Sequence, residues 1–160
     1  MTLQLVATCL FGLEHLLGEE IDALGYKRLS TIDGRVVFEG DEAAVARANL
    51  WLRTAERVYI LVGSFHAASF TELFDGTASL PWEAFIPKNG AFPVKGHSVK
   101  SALFSIPDCQ KIVKKAAATR LSGAYHTAWL PETAEKYQIE FFILKDEASL
   151  MIDTSGTALH

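Results

Sequence analysis

Two runs of mixed apolar and polar residues, Arg28 to Ile32 and Arg35 to Glu39, meet at Asp33-Gly34. Asp-Gly suits a two-residue turn with positive φ, so the pair predicts a hairpin of two antiparallel strands. The flanks narrow the choice further. Upstream, Leu3 to Thr8 reads as a strand. Leu13, Leu16, Leu17, Ile21 and Leu24 then fall on one helical stripe, with Glu14, Glu19, Glu20 and Asp22 largely opposite. Gly25 predicts the end of that helix, because it takes the left-handed conformation cheaply. Downstream, Asp41 stands where it would cap a second helix in which Ala44, Val45, Ala48 and Leu52 share a face. Val58 to Val62 follows as an apolar strand, buried on both sides or in mid-sheet.

The resulting order, β-α-β-β-α-β, is that of the ferredoxin-like fold, which hosts several unrelated functions. A different rhythm follows. From Phe65 to Pro87 the chain is rich in aromatics (Phe70, Phe74, Trp82, Phe85) and broken by Gly76 and Pro81, which predicts two short helices. Phe92 to Val99 reads as a strand that puts Lys95 and His97 on one face. Ser105-Ile106-Pro107-Asp108 opens a long helix: the serine can cap, proline fits the first turn, and the aspartate completes a capping-box-like pair. That helix is expected to reach about Ser122 and end at Gly123. Tyr137 to Leu144 and Ala148 to Ile152 are two further strands joined by Lys145-Asp146-Glu147. The expected fold class is α+β in two domains, residues 1–66 ferredoxin-like and residues 67–160 with the order α-α-β-α-β-β.

A chain of 160 residues with 49% apolar and 21% charged types has the composition of a soluble globular protein. No stretch approaches the ~20 continuous apolar residues that cross a bilayer. The apolar start, Met1 to Leu13, lacks the basic residue of a secretory signal, so no membrane partner is expected. Two cysteines, Cys9 and Cys109, exclude a disulfide framework, favour a cytoplasmic location and read as small apolar fillers. The net charge of −4 conceals a segregation. Lys88, Lys95, Lys100, Lys111, Lys114, Lys115 and Arg120 face the single acid Asp108, so this stretch carries +6 and the remainder of the chain −10. Such a local field steers polyanions even on an acidic molecule. On the long helix, Cys109, Ile112, Val113, Ala116 and Ala117 fall on one side. Lys111, Lys114 and Lys115 fall within a sector of about 100° on another, which predicts three ammonium groups in solvent.

Candidates for chemistry are weak. There is no G-x-G-x-x-G, no G-x-x-x-x-G-K-[ST] and no G-x-S-x-G, so no catalytic residue is assigned. His15, His66, His97, His126 and His160 lack ligand spacing with each other or with a cysteine, so no metal is expected. His97 reads as a phosphate or sugar contact. Asp153-Thr154-Ser155-Gly156 breaks the contiguous triplet of an aspartic protease, and Glu19 and Glu20 read as a solvated face. Trp82 reads as core under a cap, with stacking on a base as the alternative. The rival functions are a small-molecule regulatory module on a ferredoxin-like fold and a free-standing enzyme. Against the latter, Asn49 and Asn89 lie in no suitable arginine-bearing loop.

The segment Phe92-Pro-Val-Lys-Gly-His-Ser-Val-Lys-Ser-Ala-Leu103, continued by Ile106-Pro-Asp-Cys-Gln-Lys-Ile-Val-Lys-Lys-Ala116, resembles the THUMP domain. That module binds RNA in thiouridine synthases, RNA methyltransferases and pseudouridine synthases. The opening Cys9-Leu-Phe-Gly-Leu-Glu14 and the ending Leu150-Met-Ile-Asp-Thr-Ser-Gly-Thr-Ala-Leu-His160 resemble bacterial THUMP-containing RNA methyltransferases, which place a ferredoxin-like domain before the THUMP. The resemblance implies a parent enzyme that uses S-adenosylmethionine to methylate RNA, at a guanine exocyclic amine of large-subunit ribosomal RNA. This chain would be the substrate-recognition part, without a cofactor or catalysis of its own, since no Asn-Pro-Pro occurs in it. Its implied partners are ribosomal RNA and the parent's C-terminal methyltransferase domain. The implied RNA contacts are Lys95, Gly96, His97, Ser98, Lys100, Ser101, Gln110, Lys111, Lys114 and Lys115, with Arg120 structural and the acidic first domain positioning the THUMP.

Overall fold

The computed structural model describes residues 2–155. Met1 and Gly156 to His160, which include one of the five histidines and part of the family-like ending, lie outside the described residues. Two compact units are present among the described residues, 2–61 with 153–155, and 62–152.

In the first unit, strands β1 (Leu3–Thr8), β2 (Lys27–Ile32), β3 (Arg35–Gly40) and the start of β4 (Arg57–His66) alternate with helices α1 (Glu14–Ala23) and α2 (Glu42–Trp51). The strand order β2-β3-β1-β4 is antiparallel throughout, with Leu5 opposite both Phe38 and Ile60. This is the arrangement expected of β-α-β-β-α-β. Gly34 takes φ +81° in the hairpin turn and Gly25 takes φ +88° after α1. The Asp41 carboxylate accepts the Ala44 N–H at 3.0 Å, which caps α2. Leu17 and Ile21 from α1 and Ala44 and Ala48 from α2 are buried with Leu5, Val36 and Phe38.

Two expectations fail here. Leu16 is exposed, because only part of the α1 stripe faces the sheet. Glu20 is no idle surface acid: its carboxylate accepts the backbone N–H groups of Arg53 (3.1 Å) and Thr54 (2.9 Å). Burial pushes its pKa up, but those hydrogen bonds and the Arg53 charge outweigh that and hold it below the ordinary glutamate range.

The second unit holds α3 (Phe70–Ala78), a single 3-10 turn (Trp82–Ala84) where a second short helix was expected, β5 (Val94–Val99), α4 (Ile106–Ala124), β6 (Ile139–Leu144) and β7 (Glu147–Asp153), whose last residue groups with the first unit. The strand order is β7-β6-β5, with β5 parallel to β6 and β6 antiparallel to β7. A capping box starts α3: Ser69 Oγ accepts the Glu72 N–H, and the Glu72 carboxylate accepts the Ala68 N–H, both at 3.1 Å. Trp82 is fully buried and donates its indole N–H to the Thr77 carbonyl at 2.8 Å, so the base-stacking alternative falls. On α4, Cys109, Val113, Ala116, Ala117 and Leu121 are buried as the periodicity demands. Both ends of that helix differ from expectation. Ser105 makes no side-chain capping bond, and the helix runs through Gly123 to Ala124.

Candidate nucleic-acid interface

Strand β5 and helix α4 present most of the predicted contacts, and register decides which way each side chain points. Gly96 pairs with Phe141 across the parallel β5–β6 ladder. It is buried, and a Cβ there would lie 2.5 Å from Phe141 Cγ and closer still to the Phe141 carbonyl oxygen. The absence of a side chain is therefore a packing requirement. Alternation puts Lys95, His97 and Val99 on the other face of β5, where all three are exposed. Lys95 Nζ is 3.9 Å from the Glu140 carboxylate, its partner in register.

Past the strand, Lys100 is exposed with φ +50°. Ser98 donates to the Leu103 carbonyl. Ser101 Oγ donates to the Val99 carbonyl at 2.9 Å and accepts the Asp146 N–H at 3.1 Å. The Asp146 carboxylate in turn accepts the Ala102 N–H at 2.8 Å. Ser98 thus braces the loop from β5 to α4 internally, and Ser101 holds that loop against the β6–β7 turn. That turn is a two-residue one, with Lys145 at φ +49° and Asp146 at φ +65°, not the three-residue joint expected.

Helix α4 packs along β5 and against α3. Gln110 donates its amide to the Val94 carbonyl at 3.3 Å. Lys114 folds back onto Phe92, just before the same strand. Its ammonium donates to the Phe92 carbonyl at 3.0 Å and to the Glu132 carboxylate at 2.6 Å, and lies 3.6 Å from the centre of the Phe92 ring. Glu132 also accepts the Phe92 N–H at 3.0 Å. Burial pushes the Glu132 carboxyl up, but these bonds more than offset it and its pKa lies below the ordinary value. The expected trio of solvent-facing lysines is therefore a pair, Lys111 and Lys115, one helical turn apart and exposed. Arg120 is structural as expected: its guanidinium forks onto Glu83 with contacts of 2.7, 3.1 and 3.2 Å, which depresses the Glu83 pKa.

The seven cations thus do not form one free patch. Lys114 and Arg120 are neutralised within the second unit, and Lys95 is loosely paired. Among the described residues, Lys88, Lys100, Lys111 and Lys115 are exposed with no ion pair. Sequence reasoning missed Glu132 and Glu83, whose segments have no periodicity to reveal a partner. It also missed the exposed aromatics Phe104 (81%) and Trp129 (73%). Both cysteines are buried, and burial raises both thiol pKa values, which suits fillers. Asp153 is held by Arg57 at 2.6 Å, as a structural ion pair.

Comparison with known proteins fits this geometry. The RlmL ferredoxin-like domain matches residues 4–59, and the THUMP domain matches residues 67–153. The Bacillus subtilis (strain 168) protein YpsC, named as a candidate RNA methyltransferase, is 49% identical over 98% of this chain and 41% of its own length. The ribosomal RNA large subunit methyltransferase K/L of Marinobacter nauticus is 32% identical over 96% of this chain and 21% of its own. A crystal structure from Listeria monocytogenes, described as a predicted N6-adenine-specific DNA methylase, superposes with a TM-score of 0.93 at 51% identity, covering 98% of this chain and 42% of that one. The chain spans about two fifths of the first of these relatives. With the THUMP match alone covering more than half of its residues, the chain belongs to the THUMP domain family and carries an RlmL-type ferredoxin-like domain ahead of that module.

Proposed function

We propose that this chain is the RNA-recognition region of an S-adenosylmethionine-dependent RNA methyltransferase. The substrate class is large-subunit ribosomal RNA and the target a guanine exocyclic amine. What supports the reading most is the set of exposed, unpaired lysines at the β5–α4 margin of a THUMP unit, Lys100, Lys111 and Lys115, with Lys88 nearby in sequence. Lysine suits phosphate contacts that fix position without reading bases. Lys95 and His97 add a polar strip on the other face of β5, while Gly96, Ser98, Ser101, Gln110 and Lys114 shape the surface.

The described residues do not fit the cofactor. The loop opening α4 has no glycine and an acid in the first turn, and the Gly12 N–H before α1 is taken by the Glu14 carboxylate. No methyl-transfer step is assigned to them. The part of the protein beyond this chain would hold S-adenosylmethionine, and we place the two domains at residues 1–66 and 67–160.

Four free lysines at phosphates would give a slope of log affinity against log salt near −3, from the single-strand coefficient of about 0.7 per contact. Lys111→Glu with Lys115→Glu should weaken binding of a ribosomal RNA fragment by more than tenfold and leave the melting temperature unchanged, since surface substitutions usually cost within about 0.5 kcal/mol. Retained affinity in that variant, or a preference for duplex DNA of equal length over the RNA, would overturn the proposal.

A further inference from the structure

We infer that the end of the first unit where β1 stops and β4 starts is a docking surface for the catalytic part of the longer protein. This rests on the methyltransferase reading above and adds where the two parts meet. Leu10, Phe11, Leu50 and Trp51 are exposed there at 64, 79, 73 and 56%. Backbone bonds bring them to one end of the unit. The Thr8 carbonyl that closes β1 accepts the Glu56 N–H at 2.7 Å, so the turn with Leu10 and Phe11 lies beside the segment leading from α2 into β4. Leu50 and Trp51 are the last two residues of α2. Glu20 binds the Arg53 and Thr54 N–H groups, and exposed Leu16 sits one turn before it on that side of α1.

Exposed apolar patches on monomeric proteins are often functional. Leu10, Leu16 and Leu50 offer nothing to a phosphate, but Phe11 and Trp51 can stack on bases, so protection of this end by RNA in the 160-residue chain would count against the inference. The occupant is indicated by the path of the chain. The last described residues return to this same end: Thr154 N–H donates to the Val58 carbonyl at 3.1 Å, Asn49 donates to Thr154 Oγ1 at 2.8 Å, and Arg57 donates to Ser155 Oγ at 3.2 Å. The relatives are more than twice as long as this chain. The chain is thus at this end of the unit at Ser155, and a catalytic part joined to it through a short linker would meet the patch at an effective concentration on the order of mM.

The test is amide hydrogen exchange on the full-length protein and on the 160-residue chain. Segments 9–14 and 50–56 should exchange about tenfold more slowly in the full-length protein. Phe11→Ser with Trp51→Ser should return them to the rate of the shorter chain. The same pair should change the melting temperature of the 160-residue chain by less than about 2 °C, because both residues are exposed. Equal exchange in the two proteins, protection caused instead by a concentration-dependent dimer of the 160-residue chain, or a gene product that stops at His160 would each overturn the inference. Methyl transfer to RNA by the full-length protein, assayed in parallel, reports on the proposed function separately.

Discussion

Gly96 lies inside the stretch that most resembles an RNA-binding motif, and the structure gives it a purely steric task that Gly96→Ala can isolate. The new methyl would lie 2.5 and 2.6 Å from Cγ and Cδ1 of Phe141 and nearer still to that residue's carbonyl oxygen. The carbonyl lies in the backbone of β6 and the ring is fully buried, so neither can move aside alone. Relief requires β5 to shift outward, loosening the ladder from Val94 to Val99. Overpacking of this kind costs about 1–3 kcal/mol, and a clash with backbone belongs at the upper end. For a chain of this size, about 2–4 °C per kcal/mol translates that into a melting-temperature loss of about 6–12 °C. Calorimetry or circular dichroism reads it directly, without RNA. A variant that melts within about 1 °C of the parent yet loses RNA affinity would refute the packing argument. It would show that the glycine is there for close approach of the nucleic acid.

Lys114 and Glu132 should behave as a structural pair. A double-mutant cycle with Lys114→Met and Glu132→Gln should give a coupling of about 1 kcal/mol, held down because both side chains are a third exposed. Lys114→Met alone should change RNA affinity less than about twofold, in contrast to Lys115→Glu; a larger loss would return Lys114 to the interface. Acid should weaken the fold through Glu20, Glu83 and Glu132. Each has a folded-state pKa below its ordinary value, so its contribution is complete above about pH 4.3 and fades as pH falls through the depressed pKa. Between about pH 6 and about pH 3 the melting temperature should fall, and less steeply in a Glu83→Gln, Glu132→Gln variant; equal slopes would exclude these groups as the source.

The first unit was legible because local rules there agree with tertiary packing. Asp33-Gly34, Gly25 and the Asp41 cap each act within a few residues, and strand order follows once the crossovers are known. The errors arose where a side chain answers to a distant partner. Glu20 reads as surface by its position on α1, yet it caps a loop more than 30 residues away. Lys114 shares a helical sector with Lys111 and Lys115, but Phe92 and Glu132 draw it back to the strand. Periodicity gives the direction of the Cβ and says nothing of a flexible ammonium group four bonds further out. The β6–β7 turn was misjudged for a related reason: Lys-Asp lacks the glycine that marks tight turns, and the aspartate tolerates positive φ instead.

Charge counted along the chain therefore overstates the field available to a ligand. The Lys88–Arg120 stretch sums to +6, but Glu83, Glu132 and Glu140 reach it from outside and pair with three of its cations, which leaves +3. The pairing is selective in a useful way. Lys114 and Arg120 fasten α4 to Phe92 just before β5 and to the 3-10 turn, and Lys95 pairs across β5 and β6, whereas Lys111 and Lys115 stand free on the outer side of α4, about 6 Å apart along its axis. Two point charges at that spacing can hold neighbouring positions of a sugar-phosphate backbone and carry no information about the bases. On the proposed reading, this region sets where and in what orientation the RNA lies. On that reading the choice of nucleotide comes from groups outside this lysine set, which the two proposals above place in the catalytic part.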